Sequence, residues 1–236
     1  GPGCDHCYAE GVDLRFGGGH WGPGAPRRRT KTLDDPLRWH RQADSFLAKH
    51  GHPQRVFALS LGDWADNEVP AEWRSDMWDV VAAAHRLRFQ LCSKRVSNIG
   101  KYLPANWDPE QLHGHVGFLV TCVSQEEADR DIPRLLDLKK RFGFSWVGIS
   151  YEPALGPIQW RPAWLAEGAL DWIICGGESG RNARDDDPEW YRATLEACSP
   201  SGSTRFFQKQ MAHLRPIPAD LMVRQFPPQL VNKEAV

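Results

Sequence analysis

The sequence predicts an α/β protein organised as a parallel β/α barrel-like unit, and three observations predict it. Short apolar runs alternate with longer stretches of helical periodicity, the pattern of strands joined by helical crossovers. The runs are almost continuously apolar, as strands covered on both faces are. Their C-terminal ends carry polar and glycine residues, at the edge where parallel barrels place their working side chains. A length of 236 residues with 41% apolar residues suits one unit of this kind around a sizeable core.

Taken in order, Asp35-Pro36 opens a helix that Gly51 closes. The first strand is expected over Val56–Leu61 and ends at Ser60-Leu61-Gly62-Asp63. A helix follows over Ala71–Arg88, with Trp73, Met77, Val80, Val81, Ala84 and Leu87 at helical spacing. The second strand, Phe89–Cys92, ends at Ser93-Lys94-Arg95, and the third spans Val116–Val123. Pro133 is read as opening the next helix. Strand four, Trp146–Tyr151, runs into Glu152-Pro153, and strand five, Trp172–Cys175, into Gly176-Gly177-Glu178-Ser179-Gly180. Pro188 opens a last helix with Asp187 as its cap, and Thr204–Gln208 is a short sixth strand followed by Lys209. These units make a core over 1–215, and the Pro-rich segment 216–236 reads as a tail hugging the surface.

A formal net charge of -1 argues against a generally basic, nucleic-acid-coating surface. Arginine is nonetheless clustered: Arg27-Arg28-Arg29-Thr30-Lys31 follows a Gly-rich loop carrying His20 and Trp21. Guanidinium forks suit phosphates, and the alternative is a solvated basic loop. No apolar run reaches the ~20 residues that span a bilayer, and no basic region precedes an apolar stretch at the start. A soluble, intracellular chain is expected, with no membrane partner. Six cysteines are too few for a disulfide scaffold at this length. Cys92, Cys122 and Cys175 lie in strand-like runs and are expected to be small buried hydrophobes. Cys4 and Cys7 differ, because they lie in a polar turn.

Cys4-Asp5-His6-Cys7 is a C-x-x-C, which by itself fits half of a zinc site, a redox dithiol or two thiolates of an iron–sulfur cluster. No second C-x-x-C accompanies it. The run Gly3-Cys4-Asp5-His6-Cys7-Tyr8-Ala9-Glu10, with Glu152-Pro153-Ala154-Leu155-Gly156-Pro157, Cys175-Gly176-Gly177-Glu178-Ser179-Gly180, Ala183-Arg184, Pro188-Glu189-Trp190 and Phe206-Phe207-Gln208-Lys209-Gln210, resembles a phage-associated radical S-adenosylmethionine (SAM) family. The similarity is to the glycinyl-thymidine isomerase type of thymidine-hypermodifying phages and runs from Gly3 to about Met211. One departure is Ser93-Lys94-Arg95-Val96, where the family usually shows Thr-Lys-Arg-Pro.

The resemblance implies a partial parallel (β/α) barrel of the radical SAM type, a 4Fe-4S cluster on Cys4 and Cys7, and SAM as cosubstrate. It places a third cluster cysteine and a first strand upstream of the sequence given. It further implies an electron donor such as flavodoxin or ferredoxin, modified thymidine in DNA as substrate, and the cytoplasm of the infected host cell as location. On this reading His6, Gly176 and Gly177 approach adenine. Ser60, Gly62 and Asp63 receive the amino group of SAM, and Lys94 its carboxylate. Glu152, Glu178 and Lys209 are the candidate catalytic groups. Arg184 is assigned to substrate, Arg27, Arg28 and Arg29 to DNA phosphates, and Trp21 to stacking on an exposed base. The reaction implied moves the thymidine attachment of glycine from nitrogen to the α-carbon. Two alternatives stand beside it. One is a radical SAM lyase or repair enzyme on a pyrimidine adduct, using Cys122 or Cys175 as hydrogen donor. The other is a non-catalytic, metal-stabilised DNA-binding module.

Overall fold

The apolar runs become six strands: β1 Arg55–Ala58, β2 Arg88–Ser93, β3 Val116–Thr121, β4 Val147–Tyr151, β5 Trp172–Gly176 and β6 Arg205–Gln210. A computed structural model describes residues 1–180, 182–200 and 202–231; residues 232–236 of the expected tail lie outside them. The strands form one sheet in the order β1-β2-β3-β4-β5-β6, and every pairing is parallel. A sheet whose order never reverses has no switch point, so its crossovers collect on one face and the sheet curls around the other. The result is a half-barrel of α/β class.

Eight helices accompany the strands among the described residues: α1 Tyr8–Arg15, α2 Asp35–Arg41, α3 Ala43–His50, α4 Ala71–Ala83, α5 Val96–Ile99, α6 Gln125–Phe142, α7 Pro162–Leu165 and α8 Pro188–Cys198. The convex face of the sheet sends Phe89, Leu91, Phe118, Val120, Ile149 and Phe206 against Trp78, Val81, Ile132, Leu135 and Tyr191 of these helices. Each such side chain contributes roughly 1.5–3 kcal/mol by leaving water. The concave face carries a second cluster of Leu119, Trp146, Trp172, Ile174 and Leu230. Gly117 is required there, because a Cβ at that position would fall inside the Trp146 ring.

Several boundaries differ from expectation for identifiable reasons. β1 stops at Ala58, not Leu61, because Leu59 takes a left-handed backbone (φ 57°) that no strand continues through. Pro133 lies inside α6 and does not open it. Ser124 caps that helix by accepting from Glu127 N–H at 3.4 Å, while the Glu127 carboxylate accepts from Val123 N–H at 2.9 Å. This reciprocal cap starts the helix two turns before the proline. Asp187 caps α8 as expected, accepting from Glu189 N–H at 2.9 Å.

The segment after Pro216 does more than lie on the surface. Gln208 N–H donates to Val223 O and Gln225 N–H to Phe206 O, so the segment covers the outer edge of β6. It then crosses under the sheet. Phe226 packs on Trp172 and Phe207, and Leu230 is fully buried among the concave aromatics. These residues form a floor at the N-terminal end of the concave face. No helix among the described residues is long and apolar enough to cross a membrane.

Candidate active site

The C-terminal edge of the sheet is roofed by the cysteine loop. Pro2–Cys4 forms a single 3-10 turn, and Cys7 is the N-cap residue of α1. A Cβ on Gly3 would lie 2.7 Å from Val123 Cγ1, 3.0 Å from Lys94 Nζ and 3.6 Å from Pro153 Cδ. The loop therefore rests on the segments that follow β2, β3 and β4, at a distance only glycine permits. On the β5 side, Arg184 Nη2 donates to Pro2 O at 2.7 Å. Neither Cys4 nor Cys7 is in a disulfide, and both are half-buried. Burial pushes the Cys7 thiol up, Cys4 adds to this, and the Lys94 ammonium opposes it.

Glu178 is 7% exposed and committed to neighbours. Its carboxylate accepts from Arg184 N–H at 2.7 Å, pairs with the Arg184 guanidinium, and lies 3.3 Å from His6 Nδ1. Burial raises its pKa, but the Arg184 bonds outweigh burial and hold it below the usual carboxylate range. Glu178, expected as a catalytic group, and Arg184, expected at the substrate, meet each other and clamp the cysteine loop through Pro2 and His6. The exposed His6 ring thus faces the Glu178 carboxylate.

Asp63 is occupied in the same way. It accepts from Ala65 N–H at 2.9 Å, Lys94 N–H at 3.0 Å and Arg95 Nη1 at 2.9 Å, so it ties the end of β1 to that of β2. Ser60 offers its carbonyl to the Tyr8 hydroxyl at 2.8 Å, and nothing lies within 4 Å of a Cβ built on Gly62. Lys94 is exposed and makes no ion pair among the described residues. The two glycines after β5 make room for protein: a Cβ on Gly176 would meet the Glu152 carboxylate, and one on Gly177 would meet Ala212 and Asp186.

The Arg-rich loop is likewise anchored. Arg27 lies 2.8 Å from both Asp66 and Glu68, and its Nη1 donates to Gly22 O and Ala25 O. Arg29 pairs with Asp76 at 2.6 Å. Of the three arginines expected to hold phosphate, Arg28 alone is exposed with no hydrogen bond or ion pair among the described residues. Trp21 is half-buried nearby in sequence.

Below the cysteine loop, the upper concave face carries a polar patch. Lys209 Nζ is 3.1 Å from Glu152 Oε1, and Ser150 Oγ donates to Glu152 Oε2 at 3.3 Å. Burial lowers the Lys209 pKa, yet the Glu152 charge outweighs it and the ammonium is held above its usual value. Cys92 Sγ lies 3.5 Å from Thr121 Oγ1, and Thr121 and Ser150 are register partners. The Tyr8 hydroxyl feels both Lys209 and Glu152 and is pushed up chiefly by burial. Glu152 and Lys209, both candidate catalytic groups, thus form an ion pair. Tyr8, Cys92, Thr121 and Ser150 were missed, although strand alternation puts Cys92, Thr121 and Ser150 on one face. Cys122 and Cys175 point the other way and are wholly buried against the helices, so neither reaches the concave face.

Fold and site together define an α/β half-barrel whose dithiol loop roofs a polar concave face. The family model described as "Protein of unknown function (DUF5131)" matches residues 1–225, and the chain belongs to that family. Comparison with curated proteins and with solved structures gave no match. Among the described residues, no group of three or more His, Cys, Asp or Glu is placed to hold a metal ion. Two thiols in this spacing fit an iron–sulfur cluster in donor chemistry, and such a cluster would need a further thiolate.

Proposed function

We propose that the chain is a radical SAM enzyme acting on a thymidine-derived base in phage DNA. The reaction favoured is isomerisation of glycinyl-thymidine from N-linked to Cα-linked. The observation that carries this reading is the placement of two unbridged thiols, Cys4 and Cys7, over an open polar concave face at the C-terminal edge of a parallel sheet. When bound, the 4Fe-4S cluster and SAM supply a 5′-deoxyadenosyl radical able to abstract a hydrogen atom.

The residues of the chain do the rest. Cys4 and Cys7 bind the cluster, and the Glu178–Arg184 clamp keeps their loop seated through His6 and Pro2. Lys94, which lies beside Gly3 and makes no ion pair among the described residues, would receive the SAM carboxylate. The Glu152–Lys209 pair offers both charges to a glycyl group, the ammonium to its carboxylate and the carboxylate to its amine. A glycyl α-hydrogen suits the chemistry, because the radical left behind is stabilised by its nitrogen and its carboxylate. The base must leave the duplex to reach a concave face, and Arg28 is the loop arginine left to meet a phosphate. A flavodoxin or ferredoxin would supply the electron.

The test is anaerobic reconstitution of the full chain with iron and sulfide. It should give broad visible absorbance, 5′-deoxyadenosine from SAM, and an altered nucleoside by mass spectrometry of incubated DNA. A colourless protein that leaves SAM intact would overturn the reading. One observation favours a second reaction on the same scaffold, the lyase on a pyrimidine adduct: the Cys92 thiol faces the concave side, where a hydrogen donor to a product radical belongs. Loss of turnover in Cys92→Ala with intact SAM cleavage would select it.

A further inference from the structure

We propose a second ligand site at the floor of the concave face, between Arg55 and Arg88, that takes a phosphate-class oxyanion. The two arginines are register partners on β1 and β2, so their side chains leave the same face about 5 Å apart. Both reach the closing segment: Arg55 Cζ lies 3.8 Å over the Phe226 ring, and Arg88 Nε donates to Gln229 O at 3.1 Å. Arg88 is 4% exposed, and neither arginine meets a carboxylate among the described residues. Their hydrogen bonds go only to neutral groups. Arg55 Nη2 donates to His52 Nε2 at 2.7 Å, and His52 Nδ1 faces Pro53 O at 2.8 Å, which places the imidazole proton on Nδ1. Arg88 uses Leu87 O besides Gln229 O.

Around this pair the unpaired polar atoms are mostly donors. Arg55 Nη1 and Trp146 Nε1 are buried with no hydrogen-bond partner. Trp146 lies on Gly117, the register partner of Gln90, and the Gln90 amide has no partner among the described residues while only 7% exposed. Gln229 bridges the group, accepting from Arg88 at its backbone and donating to Ser145 O at 3.1 Å; its own Oε1 is the unpaired acceptor. Two guanidiniums, an indole N–H and the Gln90 amide N–H can donate to oxyanion oxygens, and the Gln90 and Gln229 amide oxygens can accept the one hydroxyl of a hydrogen phosphate. Guanidinium stays charged even where burial disfavours it, so the floor keeps a positive field that an oxyanion neutralises.

The site stands apart from the cysteine loop and does not rest on the reaction proposed above. Its test is thermal unfolding of the full chain against added phosphate, with sodium chloride at matched ionic strength as the reference. Saturating inorganic phosphate should raise Tm by several degrees, as a ligand held only by the native state does. Thymidine monophosphate is the second arm. A shift with both locates a free-phosphate site, and a shift with the nucleotide alone locates a phosphomonoester site. Arg55→Gln should weaken the effect about tenfold. Trp146→Phe removes the indole donor along with part of the buried ring and should weaken it severalfold. No shift beyond chloride, or an undiminished shift in both variants, would overturn the site.

Discussion

The two ends of the concave face treat charge in opposite ways. At the C-terminal edge acids have bases: Glu178 faces Arg184, Glu152 faces Lys209 and Asp63 faces Arg95. At the floor, Arg55 and Arg88 stand side by side with no acid among the described residues. Each of these pairs is self-neutral, so its charges serve to seat loops, and apart from Lys94 a ligand there must compete with an existing pair. An unmatched floor holds its charge in reserve. The strand-end acids, which look most catalytic in the sequence, are therefore largely consumed by the scaffold.

The largest effect that would break this division is loss of the dithiol. Cys4→Ala or Cys7→Ala should abolish iron uptake and SAM cleavage together, while phosphate stabilisation at the floor persists; iron assay and chromatography of 5′-deoxyadenosine check it. Next in size is Leu230→Ala, which opens a cavity under Trp146 and Trp172 and should cost about 2–5 kcal/mol in urea unfolding. Mild acid should act on the same end. Burial pulls His115 down from 6.5 to about 4, so it is neutral in the folded protein. The unfolded chain then binds the extra proton, and stability is complete above pH 6.5 and falls as pH drops toward 4, by up to about 3 kcal/mol. His115→Gln should flatten that slope in unfolding measured between pH 7 and pH 5.

At the edge, two acids that look alike in sequence should separate. Glu152→Gln should slow turnover at least tenfold, ~1.4 kcal/mol, with cluster content unchanged. Glu178→Gln should instead lower cluster content, because the loop loses its clamp. Equal iron content in the two variants would erase the distinction. The smallest effect is at the Arg-rich loop. Arg28→Ala should reduce the salt dependence of DNA binding by at most about one counterion. Arg27→Ala should mainly loosen the loop from Asp66 and Glu68.

Six strands were legible because Val-, Ile- and Leu-rich runs covered on both faces stand out from any helical pattern. That same continuity hid which face each residue takes, so Cys122 and Cys175 were named where Cys92 is the thiol on the concave side. Glu152 and Lys209 were legible from their place at strand ends. The employment of Asp63 and Arg27 was not, since Lys94 lies 31 positions from Asp63 and Asp66 lies 39 positions from Arg27. Leu230 and Phe226 carry no periodicity, and a solitary apolar residue in a Pro-rich segment gives no sign that it fills a floor.

That floor also fixes the order in which the chain can complete itself. Successive β/α units pair with the strand just made, which needs only short loops to close. The contact of Arg88 Nε with Gln229 O spans 141 positions and must wait for the last described segment. During synthesis, Trp146 and Trp172 are therefore in place before Phe226 and Leu230 emerge to cover them. A nascent chain stalled before Phe226 carries an exposed aromatic groove, which is where a chaperone would engage it.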